Sequence, residues 1–503
     1  MRLLAVSTLI LCLIAASARA DVTLAPPFQD HAVLQRDKPL PVWGRAAPEE
    51  KVTVEFMGQR IGTTADADGR WIVYLEPVPA ASEPATLTVT GKNTVTLQDV
   101  LVGEVWLASG QSNMEWPVMK SDDADAEMAA ARFPLIREFN AANTVAAQPA
   151  DTVPGTWSPC TPGTAGNFSA VGYFFARALH RKLGVPVGIL NSTWGGTPIE
   201  SWTDATTLKS TDAWPAIDAR WQEAQAAHPE RAANYPAEMA AWKEAEEKAK
   251  ATRTKNPVPW PRAPAGPGTP YAPSGLFNAM IAPLQPYALR GAIWYQGESN
   301  ASRPAEYAEV FPAMLRAWRA QWNQGDFPFY FVQLASFTVT NDATGRSWAW
   351  LREAQTRALA LPNTGMAVAI DIGDPKDIHP RNKQEVGRRL ALIAKAKVYE
   401  IPVDCSGPVF VAARREGAAV RVSFAQAADS LTAGGKPLQA FELAGADRKF
   451  FPASARIEGD TILVTAPEVP EPAAVRYAWS NNPDANLFNG TGLPAAPFRS
   501  DEW

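Results

Sequence analysis

Two kinds of hydrophobic pattern divide the chain. From residue 22 to about 98, apolar positions come in short alternating or β-branched runs, "KVTVEFMG", "GRWIVYLEP" and "ATLTVTG", bounded by Gly, Pro and Asp turns. A period of two puts every second side chain on one face, the mark of a half-buried strand. From about 402 the pattern returns in "AAVRVSFAQ", "DTILVTAP" and "AAVRYAWS". Both ends are predicted to be β-sandwich-like.

Between them, strands and helices alternate. Runs of buried-strand type stand at 100–109, 186–191, 290–296, 327–334 and 366–371. In "VGYFFARALHRKLG", Val171, Phe174, Phe175, Ala178 and Leu179 share one helical face, and Gly184 closes the helix. In "KQEVGRRLALIAKA", Val386, Leu390 and Ile393 repeat that spacing. The alternation predicts an α/β fold, a three-layer sandwich whose mostly parallel five-stranded sheet carries helices on both faces. One stretch departs from it. "PAEMAAWKEAEEKAK", 236–250, reads as a helix opened by Pro236 and supported by Glu244/Lys248 and Glu246/Lys250 pairs, with a Pro-rich connector after it. Residues 205–270 are therefore an excursion from the sheet, as a lid, an arm or a solvated spacer.

The first twenty residues carry Arg2, an apolar run from Leu3 to Ala16 and Ala18-Arg19-Ala20. That is the pattern of a cleaved export signal, so the mature chain is expected to begin at Asp21 and to be periplasmic or secreted. The expected organisation is then 1–20 signal, 21–98 β region, 99–400 α/β domain and 401–503 β region. No later apolar run approaches the ~20 residues of a spanning helix, and no membrane partner is expected.

Composition adds exclusions. The 503 residues are 46% apolar and 20% charged, an ordinary globular mixture, and a net charge of −5 leaves no basic footprint for nucleic acid. Beyond the signal only Cys160 and Cys405 remain, free to pair or not, and neither they nor the histidines form a metal-ligand motif. No metal or cofactor is expected. There are 18 tryptophans, and Trp116, Trp157, Trp194, Trp202 and Trp260 lie beside Gly, Pro or Ser, where they can pack a core or stack on sugar faces.

Ligands of open α/β sheets bind outside the carboxyl ends of the strands. There the chain places Gly110-Gln111-Ser112-Asn113, Asn191-Ser192-Thr193-Trp194-Gly195-Gly196, Gln296-Gly297-Glu298-Ser299-Asn300 and "DIGDPKDIHP" with Asp371, Asp374, Asp377 and His379. Of four histidines, His31 lies in the N-terminal β region, His180 in a helix and His228 in the excursion, so only His379 stands at this edge. A serine hydroxyl becomes a nucleophile when an imidazole takes its proton, and an acid fixes the imidazole's tautomer. Ser112 and His379 are the candidate pair. Ser112 with Glu115 also reads as a capping box at a helix start. Donors for an oxyanion would be Ser112 N–H, a Gly195 or Gly196 N–H, and the amide of Gln296 or Asn300. Gln111, Asn113, Trp194 and Glu298 are candidates for substrate contact. The absence of G-x-S-x-G argues against an α/β-hydrolase elbow.

"GQSNM", "NSTWGGTPIESW", "WYQGESN" and "DIHPRNKQEVGRRLA", in that order, together resemble the sialate O-acetylesterase-like family of SGNH hydrolases, across about residues 100–400. The resemblance implies a carbohydrate O-acetylesterase, acting on acetylated sialic acid or on plant cell-wall polysaccharide such as xylan or xyloglucan. It implies Ser112 as nucleophile, His379 as base and Gly195–Gly196 with the 296–300 amides as oxyanion donors. One position departs from the pattern: Lys376 stands three residues before His379, where many members have Asp. Asp377, Asp374 or a backbone carbonyl is left to serve the imidazole. The other readings are a lipase or thioesterase on the same fold, which would need an apolar acyl groove, and a non-catalytic carbohydrate-binding protein.

Overall fold

The computed structural model describes residues 21–427 and 430–503; the export signal read at 1–20 lies outside them. Its central layer is ordered Gly155–Cys160, Phe133–Ala141, Val187–Thr193, Thr94–Gly110, Gly291–Tyr295, Phe329–Gln333, Thr364–Val368. All neighbours run parallel except the first pair, which is antiparallel. The five expected strands are present and adjacent, but the sheet is larger than five. Phe133–Ala141 joins as a further parallel strand, and Gly155–Cys160 closes that edge. "FPLIREFNA" escapes an apolar pattern because its buried polar groups are paired. Arg137 reaches Asp99, and Glu138 accepts from Ser169 N–H and Asn191 Nδ2. Burial pushes the Glu138 carboxyl up to about 8.

Helix Ala170–Leu183 packs on Lys383–Lys397, and Pro304–Trp322 packs on Ser347–Arg357. The first pair lies against Val187–Thr193 and Thr364–Val368, and Ser347–Arg357 lies against Phe329–Gln333. Gly184 closes the first helix as its sequence predicts, taking the left-handed conformation after Leu183, and at the other end Ser169 Oγ accepts from Gly172 N–H.

Thr94–Gly110 is one long strand. It pairs with Ala81–Thr90 in the N-terminal β region and then continues into the central layer between Val187–Thr193 and Gly291–Tyr295. A single hydrophobic core follows it, from Val42 and Val54 through Trp106 to Trp294 and Leu390. The C-terminal β region has a separate core around Val422, Leu443, Ile462 and Tyr477. Cys160 and Cys405 are both free.

The excursion is helical for longer than expected. Trp214–Thr252 is one helix that contains Pro229 and Pro236 within it, so Pro236 does not open it. Lys248 pairs with Glu244 as read, but Lys250 turns to Glu247 rather than Glu246. The helix is tied to the α/β layer where Arg220 donates to both oxygens of Glu306. None of the described helices is long and apolar enough to cross a membrane.

Candidate active site

Three loops leave the sheet side by side because three strands end in register: Thr193 pairs with Gly110, and Gly110 with Tyr295. Gly110 has φ 134°, and a β-carbon there would fall 2.2 Å from Tyr295 O. Only glycine fits that close approach. The chain turns sharply after it, and Ser112 becomes the first residue of a one-turn helix, Ser112–Glu115, with Gln111 at the cap position.

The capping box read at Ser112 does not form. Gln111 caps without a side-chain hydrogen bond, and Glu115 reaches across to the next loop instead, where its Oε2 accepts from Gly195 N–H at 2.7 Å. Ser112 Oγ is thereby left to another partner. His379 Nε2 lies 2.8 Å from it.

His379 is held from three sides. Trp116 stacks on the ring, with centroids 4.9 Å apart and planes at 16°. Asp377 Oδ1 accepts the His379 backbone N–H at 2.9 Å and stands 3.6 Å from Nδ1. Burial, and secondarily the Lys383 ammonium, hold the imidazole below its ordinary value, while Asp377 offsets part of that effect. The imidazole is therefore neutral at pH 7, the form that accepts a proton.

The other acidic candidates are spent elsewhere. Asp374 Oδ1 accepts from the backbone N–H groups of Lys376 and Asp377, closing the turn through Pro375. Asp371 forms a two-pronged ion pair with Arg389.

The amides of the third loop also turn inward. Gln296 Nε2 donates to Thr197 O and to Asn300 Oδ1, and both residues are buried. Asn300 Nδ2 donates to Glu200, and its Oδ1 also takes Ile199 N–H. These side chains lock the second and third loops together and do not offer donors at Ser112. Gln111 accepts from the N–H groups of Gly297 and Ser299. Asn113 and Glu298 bond to each other at 2.5 Å instead of facing outward. Trp194 is half-buried against the main core beside Gly195. Trp202 and Trp157 belong to the core, whereas Trp260 is exposed on the excursion and packs edge-on against Trp242.

Two participants escape a sequence reading. Trp116 was one of several loop tryptophans with nothing to tie it to His379. Lys383 opens its helix, where lysine is usually solvated, yet it is fully buried and donates to Asn113 Oδ1. Burial pulls its ammonium down to about 7. Among the described residues no cluster of three or more His, Cys, Asp or Glu forms a metal-ligand set.

Known proteins resemble this chain along most of its length. Residues 260–395 match the family model described as carbohydrate esterase, sialic acid-specific acetylesterase. The sialate O-acetylesterase of Rattus norvegicus is 31% identical, over 97% of this chain and 96% of its own length. That of Mus musculus is 33% identical over 80% of this chain and 78% of its own. The solved structure of a carbohydrate acetylesterase from Xanthomonas citri superposes with a TM-score of 0.82 at 41% identity, covering 96% of this chain and all of that one.

Proposed function

Because the chain belongs to the sialate O-acetylesterase family and is a carbohydrate esterase, we propose that it removes acetyl groups from sugar hydroxyls through an acyl-enzyme on Ser112. The observation that carries this reading is the 2.8 Å contact between Ser112 Oγ and His379 Nε2 at the carboxyl edge of the sheet. His379 Nε2 takes the hydroxyl proton as Oγ attacks the acetyl carbonyl carbon. The tetrahedral intermediate then collapses, the ester C–O bond to the sugar breaks, and His379 returns the proton to the departing sugar oxygen. Water, deprotonated by the same imidazole, attacks the acetyl–Ser112 ester and releases acetate, regenerating the Ser112 hydroxyl.

The oxyanion falls to backbone donors. Ser112 N–H, at the first helical position, has no acceptor within its own helix. Gly195 lies so close that its β-carbon position is 3.2 Å from Ser112 Cβ, and its N–H already donates to an oxygen, Glu115 Oε2. An acetyl oxyanion would take that place. The Ser112 and Gly195–Gly196 amides are the donor set we assign. Asp377 supports the Nδ1 side of His379, so Nε2 is left unprotonated toward Ser112.

The substrate classes are acetylated sialic acid and acetylated plant polysaccharide such as xylan or xyloglucan. Export is read from the signal pattern of residues 1–20. The test is acetate release from p-nitrophenyl acetate and from acetylated sialic acid, xylan and xyloglucan. At least one carbohydrate should be deacetylated by the wild type and not by Ser112→Ala. Release of octanoate in preference to acetate would instead support a lipase or thioesterase.

A further inference from the structure

Behind Ser112 and His379 runs a polar chain that no substrate contact explains. Lys383 Nζ donates to Asn113 Oδ1, and Asn113 Nδ2 donates both to Glu298 Oε1 at 2.5 Å and to Ile378 O at 3.0 Å. Lys383 and Asn113 are almost wholly buried. Asn113 is the residue after the nucleophile, Ile378 the residue before the base, and Glu298 belongs to the loop of the third strand. One carboxamide thus joins three loops, and every hydrogen of its NH₂ group and its oxygen have a partner.

A buried ammonium is costly unless it is paired and hydrogen-bonded. Here it lies 5.8 Å from the Trp116 ring centroid and 5.6 Å from that of Tyr295, and Trp116 is the ring stacked on His379. The charged groups facing Lys383 are Glu298 from the third loop, Asp377 from the His379 loop and Asp122 from the segment after Lys120. His379 in turn faces Lys383, Asp377 and Lys120. Glu298 keeps its second oxygen buried without a partner among the described residues, and burial raises its carboxyl.

We propose that Lys383 and Glu298 are positioning residues, which fix the Ser112–His379 contact by holding Asn113 between the nucleophile's helix and the carbonyl that precedes the base. The proposal rests on Ser112 and His379 as nucleophile and base. Neither Lys383 nor Glu298 touches the reacting atoms; they act through Asn113 and, for Lys383, through its charge on the imidazole. Without the Lys383 donor the Asn113 amide can rotate, release Ile378 O and let the His379 loop shift. A displacement near 1 Å costs about 10²-fold in rate.

The experiment compares Lys383→Met, which keeps the apolar stem, Glu298→Met, which keeps length but removes the acceptor of Asn113 Nδ2, and Ser112→Ala on p-nitrophenyl acetate across pH 5–9, with folding checked by thermal melting. Lys383→Met should lower kcat about 10²-fold with KM little changed. It should also move the acid limb of kcat/KM to higher pH, because the cation that depresses His379 is gone. Glu298→Met should lower kcat by a smaller factor, again without raising KM, because Asn113 Nδ2 keeps its bond to Ile378 O, and it decides the matter if Lys383→Met does not fold. Wild-type kcat and an unmoved acid limb in the folded variants would overturn the proposal, as would a raised KM at constant kcat, which would make Glu298 a substrate contact. Full activity in Ser112→Ala would instead overturn the underlying nucleophile assignment.

Discussion

Asp377 Oδ1 accepts the backbone N–H of His379 at 2.9 Å while standing 3.6 Å from that residue's Nδ1. One oxygen therefore sets the loop and supports the ring, and the second contact is longer than a hydrogen bond. The carboxylate is also half-exposed, so water screens its pull on the imidazolium. Asp377→Asn should accordingly lower kcat by about ten- to a hundredfold, well short of the ~10⁴ of a buried triad acid. Asp374→Asn, which retains the oxygen that closes the turn, should change kcat little. Steady-state kinetics on p-nitrophenyl acetate decide it, and a larger loss for Asp374→Asn would reverse the assignment.

The pH dependence follows from the surroundings of His379. Burial first, and Lys383 second, favour its neutral form, with Asp377 pulling the other way. The free enzyme should keep its active, unprotonated base below the ordinary histidine value of 6.5, so the acid limb of kcat/KM should fall below pH 6.5. A limb above that value would show that Asp377 outweighs burial.

Asn300 separates structure from catalysis. Its side chain serves Ile199 N–H, Gln296 Nε2 and Glu200 Oε2 at once, all in the interior. Asn300→Ala strands these groups, at about 1–3 kcal/mol for each that finds no water. The denaturation midpoint should drop clearly, while kcat of the folded fraction falls less than about tenfold, because the oxyanion is held by backbone donors. Wild-type stability with a loss of about 10² to 10³ in kcat would put the Asn300 amide in the oxyanion hole.

The parts legible in the sequence were those with a period or an elimination behind them. Val171, Phe174, Phe175 and Leu179 announce a helix because their face is all apolar, and His379 stood out as the only histidine at a strand end. The strand Phe133–Ala141 was hidden because Glu138 and Arg137 are buried in pairs that no local pattern displays. Spacing alone misplaced Glu115: at Ser112 plus three it resembles a cap, yet Gly195 N–H, eighty residues on, is the stronger claimant. Gln296, Asn300 and Glu298 share a strand-end loop, but spacing cannot tell an inward amide from an outward one. Lys383 carried no signal, since a lysine at a helix start reads as solvated until the Asn113 carboxamide and the Trp116 ring are folded over it.

The central claim is that Ser112 and His379 work as one unit. The direct test is acetate release by Ser112→Ala, His379→Ala and the double variant at neutral pH, each shown to be folded. Each single change should cost about 10⁴-fold or more in kcat, and the double variant should be little worse than either, because the second change removes a partner already idle. His379→Ala retaining activity within about tenfold of wild type would contradict the account, since a histidine base is worth far more than that to a serine nucleophile.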